Sequence, residues 1–178
     1  MSTESGSGKV VRKVAVYPHP PEVVWVAITD PRALAEWLMP NDFKPVVGHR
    51  FEFRVDSGPG FSGITRCEVI EVDPPRRLAF TWVIMPKKPG RTPHTPTTVV
   101  FTLEPDGAGT RLIFEHRDVD RITWIHRIQM SFGWGTMVKR WIPKVAARIG
   151  TDGVFMPGAI PLAKRCYKVR TVPAEYVR

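Results

Sequence analysis

The residues of this chain that could carry acid–base or metal chemistry are scattered along it. His19, His49, His94 and His126 lie in apparent turns and connections, and none of them forms a His-x-x-x-His pair. A metal centre needs three or four such ligands, usually at short spacing. The sequence therefore predicts no metal site and no cofactor.

The two cysteines are equally poor candidates for catalysis. Neither Cys67, inside a strand pattern, nor Cys166, near the C-terminus, has a base whose proximity follows from the sequence. No Gly-x-Ser-x-Gly elbow is present either, so nucleophilic chemistry lacks a recognisable arrangement. We expect both thiols to be free, because nothing in the chain indicates an oxidising compartment. Without a catalytic constellation, the interpretation leans away from an enzyme.

His116 is the polar side chain best placed to lie inside the molecule. It alternates with Leu112 and Phe114 along one strand, so the three share a face of the sheet. If the interior contains a pocket, we expect His116 to be its polar group. The other interpretation is a hydrogen-bonded structural histidine at a strand end, and both stay open.

A larger group of apolar side chains is predicted to face the same interior. These residues recur with a period of two in the strands and at helical spacing near the C-terminus. Such a lining fits a hydrophobic ligand, but the same residues could also close-pack as an ordinary core. The candidate cavity lining is Phe51, Phe53, Phe80, Trp82, Phe101, Phe114, His116, Met137 and Trp141.

The first elements that would position these residues are a strand and two short helices. Val10–Tyr17 mixes β-branched and basic residues and predicts a strand, which the following prolines end. Pro21 suits the first turn of a helix. Asp30 is placed to cap a second, shorter helix that carries Trp37 on its buried side.

From Gly48 the periodicity alternates, which predicts an antiparallel meander of strands joined by short turns. Gly133–Ile149 then returns to helical spacing and predicts a long helix across the concave face of the sheet. Pro143 should bend or break that helix near Lys139. The preceding segment, Val119–Met130, predicts either a short helix or lid at a cavity entrance, or an amphipathic connector packed on the domain.

Composition sets the remaining limits. The 178 residues, with 43% hydrophobic content, suit a single domain. We expect a disordered leader over 1–9, a domain over 10–150 and an irregular basic extension over 151–178. No apolar run predicts a membrane-spanning helix or a signal peptide, so the expected location is cytoplasmic.

The net charge of +9 would suit an acidic partner. The basic residues are dispersed, however, and this pattern disfavours nucleic acid as that partner. We expect a monomer or homodimer.

Several short segments, taken in order, resemble one protein family. They are the Pro-Pro-Glu-Val-Val-Trp helix start, Thr29-Asp30-Pro31, Trp37 with Pro40, Gly48, Val72-Asp73-Pro74-Pro75-Arg76-Arg77-Leu78, Gly109-Thr110-Arg111-Leu112 and Gly133-Trp134. The set is similar to the SRPBCC superfamily and, within it, to homologues of the activator of the ninety-kilodalton heat-shock-protein ATPase. Gly48-His49 departs from the Gly-Gly pair common in that family.

The resemblance implies an α+β helix-grip fold, in which a seven-stranded curved antiparallel sheet is wrapped around a long C-terminal helix. Six strands follow from the periodicity, and the seventh is expected either near Phe43–Val47 or from a division of the strands that the pattern does not reveal. Relatives that transfer lipids or cyclise polyketides make a small hydrophobic ligand the leading hypothesis. A cyclase or dehydratase enzyme is the alternative, favoured if His116 meets Arg66, Glu68 or another ionisable group inside. A chaperone-interacting module, without ATPase stimulation, is the third.

Overall fold

The protein is an antiparallel sheet with one long helix across its concave face. The computed structural model describes residues 8–59, 61–88, 90–165 and 167–172. Within them the strand order is β1-β6-β5-β4-β3-β2, and every pairing is antiparallel. The strands are β1 (Val11–Tyr17), β2 (Arg50–Arg54), β3 (Phe61–Asp73), β4 (Arg77–Pro86), β5 (Thr97–Asp106) and β6 (Gly109–Arg117).

The strand register gathers the aromatic side chains on the concave face. Phe101 lies opposite Leu78 on β4 and opposite Phe114 on β6. Residues directly opposite each other in neighbouring strands project to the same face, so the alternation along each strand becomes a continuous apolar surface across the sheet. The antiparallel meander predicted from the period of two is confirmed.

Two short helices follow β1, as the sequence predicts. They are α1 (Pro21–Thr29) and α2 (Pro31–Trp37). The side chain of Asp30 accepts hydrogen bonds from the backbone N–H groups of Arg32 and Ala33 and caps α2. Trp37 donates its indole N–H to the carbonyl of Ala27 at 2.8 Å, which joins α2 to α1.

The C-terminal helix begins earlier than predicted. It runs as α3 (Trp124–Thr136), a π-helical turn (Met137–Trp141) and α4 (Ile142–Ala146). The predicted start at Gly133 is therefore wrong by nine residues, and the connector contains the first turns of the long helix. No helix among the described residues is both long and apolar enough to cross a membrane.

The π-helical turn is the local response to Pro143. The N–H of Ile142 donates to the carbonyl of Met137, five residues back, so the carbonyl of Val138, four residues back, does not receive its usual hydrogen bond. The next residue, Pro143, has no N–H to offer. The hydroxyl of Tyr17 fills this gap from β1, donating to the Val138 carbonyl at 2.5 Å. The predicted bend or break near Lys139 is thus a widened turn.

The seventh strand implied by the resemblance is not found among the described residues. Phe43–Val47 forms a loop, and the edge of the sheet beyond β2 carries only a single-residue bridge between Asn41 and Phe53. Pro40 precedes this loop and Pro45 lies within it. Because proline cannot donate to a strand ladder, a continuous strand is disfavoured here.

The segment after α4 packs onto the domain as an irregular strap, defined here as residues 151–165 and 167–172. Glu36 of α2 is buried, and its carboxylate accepts from the backbone N–H groups of Gly158 at 2.5 Å and Ile160 at 2.8 Å. Arg165 lies 3.6 Å from the same carboxylate. Phe155 is buried as well. The strap is therefore anchored to α2 through charge and apolar burial together.

Candidate functional site

The middle of the concave face is filled by aromatic side chains. Five of the predicted lining residues are at most 2% exposed and lie in ring contact with one another. The contacts run from Phe51 to Phe80 with ring centroids 5.5 Å apart, and from Phe101 to Phe114 at 5.2 Å. Such edge-to-face packing leaves little room between the rings. The five residues are Phe51, Phe53, Phe80, Phe101 and Phe114.

His116 lies beside this cluster and is fully buried. Its Nδ1 accepts a hydrogen bond from the indole N–H of Trp134 at 3.1 Å. Since Nδ1 is an acceptor, the ring proton sits on Nε2, which lies 2.7 Å from the hydroxyl of Thr97. Thr97 in turn donates to the backbone carbonyl of Trp82 at 3.2 Å. Both ring nitrogens are therefore satisfied by the protein.

Burial sets the charge state of His116. It lowers the pKa of the imidazole from 6.5 to about 4, because desolvation penalises the charged ring. Protonation would also place a second N–H group against the donor of Trp134. His116 is therefore neutral near pH 7 and is separated from open space by the Trp134 ring.

A cavity of about 400 Å³ opens at the end of the sheet, between α3 and strands β3 and β4. Its size falls within the range of small-molecule sites. The inner wall includes Leu38, Trp82 and Trp134, all buried, and the floor includes buried Thr65. The apolar lining is completed by Met39, Ile84, Ile122, Met130, Gly133 and Met137.

The cavity entrance has a different chemistry. Four exposed residues form its rim, and three of them carry polar side chains. His126 and Gln129 lie on α3, while His94 comes from the loop between β4 and β5. A ligand with an apolar body would meet polar groups only as it enters or where its polar end remains near solvent. The rim consists of Pro59, His94, His126 and Gln129.

One polar atom of the inner wall lacks a protein partner. The indole Nε1–H of Trp82 is shielded from solvent, and no group among the described residues accepts its hydrogen bond. Leaving such a donor unpaired costs about 1–3 kcal/mol. The Trp82 ring lines the cavity, so an acceptor on a bound molecule could pair with this donor if the ring turned its N–H toward the cavity.

The predicted lining residues thus separate into three groups. Trp82 and Met137 line the cavity, whereas the five phenylalanines and His116 lie in the packed core behind it. Trp141 is only partly buried, and the ammonium group of Lys144 sits 5.2 Å from its ring centre. Sequence reasoning missed Met130 as a lining residue, because its helix was predicted to start later, and it also missed Gly133, the first residue of the predicted helix.

The outer face of the sheet carries a wider depression of about 610 Å³. Its arginine and glutamate side chains are paired with each other. Glu52 contacts Arg66 at 3.0 Å, and Glu68 contacts Arg50 at 3.0 Å. Arg66 and Glu68 therefore lie on the opposite face of the sheet from His116, and the inward ionisable cluster that would favour an enzyme is not formed.

Metal and thiol chemistry gain no support from the described residues. They contain no group of three or more His, Cys, Asp or Glu side chains placed to hold a metal ion. Cys67 is free, as expected, and burial raises the pKa of its thiol well above the usual value. A buried neutral thiol is a poor nucleophile. Cys166 lies outside the described residues.

The fold and its end-on cavity define a helix-grip protein of the SRPBCC superfamily. The family model described as Activator of Hsp90 ATPase homolog 1-like protein matches residues 18–144, and the chain belongs to this family. No match was found among the curated proteins compared with the chain.

Solved structures agree with this assignment. Protein MLL2253 from Mesorhizobium loti is 33% identical with a TM-score of 0.67, over 80% of this chain and 99% of that one. DynU16, a protein in the dynemicin biosynthetic locus, is 25% identical with a TM-score of 0.62, over 78% of this chain and 47% of its own. The Aha1 dimer from Colwellia psychrerythraea, at 20% identity, TM-score 0.59 and coverage of 73% and 90%, shares the fold.

Proposed function

We propose that the protein binds a small, mainly hydrophobic molecule in the cavity between α3 and the sheet. The observation that carries the proposal is the apolar cavity wall, to which Trp82 contributes a ring whose buried N–H has no partner among the described residues. A ligand that brings one acceptor, such as a carbonyl or ether oxygen, would pair with this donor once the Trp82 ring turns its N–H toward the cavity, while the remaining ligand surface contacts methionine and aromatic side chains. The methionines Met39, Met130 and Met137 would adapt to its shape.

Ligand binding is preferred to catalysis because, among the described residues, no ionisable side chain lies in the inner wall of the cavity, and His94 and His126 stand at its exposed rim. His116, the one buried histidine of the described residues, contacts Thr97 and Trp134, and neither neighbour titrates near neutral pH. A cyclase or dehydratase would need a proton donor or acceptor at the reacting atoms. The chaperone alternative is supported by the family name alone, and we do not propose it.

The proposal is tested with two fluorescent probes of the same outline, a naphthyl ketone and the corresponding naphthalene hydrocarbon. We expect the parent protein to bind both, and the ketone more tightly. Trp82→Phe should lower the affinity for the ketone by about two- to ten-fold and leave the hydrocarbon almost unchanged, as for the loss of a neutral hydrogen bond. Trp25→Phe, which removes an indole outside the cavity, is the matched control.

Two results would overturn the proposal. One is that neither probe binds the parent protein, which would show that the cavity is closed to ligands of this size. The other is an equal loss of both probes in Trp82→Phe, which would indicate altered packing without a hydrogen bond. Native mass spectrometry of protein purified from its own host would then give the mass of any molecule carried in the cavity.

A further inference from the structure

The outward face of α3 exposes four large apolar side chains. Trp124 is 64% exposed and Phe132 is 76% exposed, and Ile125 and Ile128 are about half exposed. Counted from Trp124, the other three residues lie one, four and eight positions along the chain. At 3.6 residues per turn, all four fall within a sector of about 100° of the helix surface. These four side chains, the α3 outer patch, therefore form one continuous surface, whereas isolated exposed apolar residues are ordinary.

The helix that carries this patch is strongly basic. The segment from Trp124 to Ala146 contains Arg127, Lys139, Arg140 and Lys144 and has no Asp or Glu. Lys139, Arg140 and Lys144 are exposed. Arg127 lines a shallow groove beside the patch together with Lys9 and Arg12 of the neighbouring chain segment. The helix that carries the patch thus holds four positive charges and no negative one, while Asp118 and Asp120 lie just before its start and Arg12 is paired with Glu115.

Charge decides between the occupants that this surface could accept. A second copy of the chain placed helix to helix would set four positive charges against four, with no carboxylate on either segment to pair them. An anionic bilayer offers the opposite charge and an apolar interior at once. Helices with exposed Trp, Phe and Ile beside Lys and Arg bind such interfaces by lying in their plane.

We infer that the α3 outer patch docks the protein on anionic phospholipid bilayers. Docking would not require the helix to cross the membrane, and the inference stands apart from the proposed ligand, since it uses the face of α3 that points away from the cavity. It also has a consequence for that site. His126 and Gln129, on the same helix, belong to the cavity rim, so the entrance would lie close to the lipid surface.

The test is co-sedimentation with vesicles of phosphatidylcholine alone and of phosphatidylcholine mixed with phosphatidylglycerol. We expect binding to the mixed vesicles only, and weaker binding as salt screens the charges. Phe132→Asp should lower the bound fraction by about ten-fold or more, because the ring can no longer enter the apolar layer. Val47→Asp is the matched control, since it changes the charge equally at a side chain that is 60% exposed outside α3.

Folding is checked independently, because Phe132→Asp should leave the circular dichroism spectrum and the urea midpoint unchanged. Three outcomes would overturn the inference. They are absence of binding to the mixed vesicles, equal loss of binding in Val47→Asp, and a parent dimer that Phe132→Asp dissociates in analytical ultracentrifugation. The last result would assign the patch to a second copy. None of these outcomes depends on whether the cavity binds a probe.

Discussion

The hydroxyl of Tyr17 donates a hydrogen bond to the carbonyl of Val138, across the molecule from β1 to the π-helical turn. This contact supplies the donor that Pro143 cannot provide. Burial raises the pKa of Tyr17 well above its usual value, so the hydroxyl keeps its proton at neutral and moderately alkaline pH. Tyr17 on β1 and Val138 on the helix, 121 positions apart, thus form a hydrogen bond in place of the one that the helix loses at Pro143.

Tyr17→Phe should therefore destabilise the protein by about 1–3 kcal/mol, because the Val138 carbonyl loses its donor in a buried position. Urea denaturation gives the free energy of unfolding. Pro143→Ala restores an N–H group near this carbonyl, so the penalty of Tyr17→Phe should shrink in the Pro143→Ala background. Equal penalties in the two backgrounds would show that the contact does not compensate the proline.

The stability should fall in acid because of His116. The pKa of this imidazole is about 4 in the folded protein, against 6.5 for an unperturbed histidine, so between these pH values the unfolded chain binds more protons. The free energy of unfolding should then decrease as the pH falls from about 6.5 to about 4, by roughly 3 kcal/mol at most, and level off below.

His116→Gln removes this titration, so urea midpoints measured between pH 7 and pH 4 should vary less than those of the parent. Asp30 and Asp56 do not produce the same signal, because hydrogen bonds and nearby charges lower the pKa of both carboxyl groups. The stability that these two carboxylates contribute is therefore lost at lower pH values than the stability that depends on His116. If His116→Gln kept the parent's full pH dependence, the loss of stability in acid would not come from His116.

The two tryptophans on helix stripes should differ in their energetic contributions. Trp37 is 1% exposed and donates to the Ala27 carbonyl, so Trp37→Ala should cost about 3–5 kcal/mol. Trp141 is only partly buried, and Trp141→Ala should cost clearly less. Chemical denaturation of both variants gives the comparison. Equal losses would contradict the exposure seen at Trp141.

The strap should loosen when its buried carboxylate is removed. Glu36→Ala leaves the N–H groups of Gly158 and Ile160 without their acceptor and Arg165 without its ion pair. We expect destabilisation of about 2 kcal/mol or more and faster proteolysis within residues 151–172. Glu104→Ala changes an exposed carboxylate and should do neither. Unchanged proteolysis in Glu36→Ala would mean that apolar contacts alone hold the strap.

The cavity can be filled from Gly133 without disturbing the helix. A Cβ atom at this position would have no atom within 4 Å, and the residue lines the cavity. Gly133→Ala should stabilise the helix by about 0.5–1 kcal/mol. Gly133→Leu should keep the parent's stability and weaken binding of both naphthalene probes. Undiminished probe binding in Gly133→Leu would place the probes elsewhere.

Local patterns predicted much of the fold. The period of two identified the strand faces that carry Phe53 and Phe114, and Asp30 identified the start of α2 through its cap. The start of α3 was missed because Phe132 and Trp124 point to solvent while Met130 faces the cavity. The first half of the helix therefore has apolar side chains on two faces and shows no single stripe.

The site depends on relationships that the sequence does not display. Alternation placed Trp82 and Phe80 on one face equally well, but only the three-dimensional arrangement separates a wall residue from a packed one. Likewise, Glu36 lies in an ordinary helix pattern, and its partners Gly158 and Ile160 are more than 120 positions away. Whether rings fill a space depends on their exact volumes and rotamers.

The separation of the filled aromatic core from the cavity has an evolutionary consequence. The phenylalanines that stabilise the sheet do not line the cavity, and most lining residues lie on α3 or in loops. If the cavity binds a ligand as we propose, substitutions at an exposed rim residue such as Gln129 would alter which molecule fits without weakening the core. A fold built in this way would let ligand preference change through a few tolerated substitutions while each intermediate remains folded.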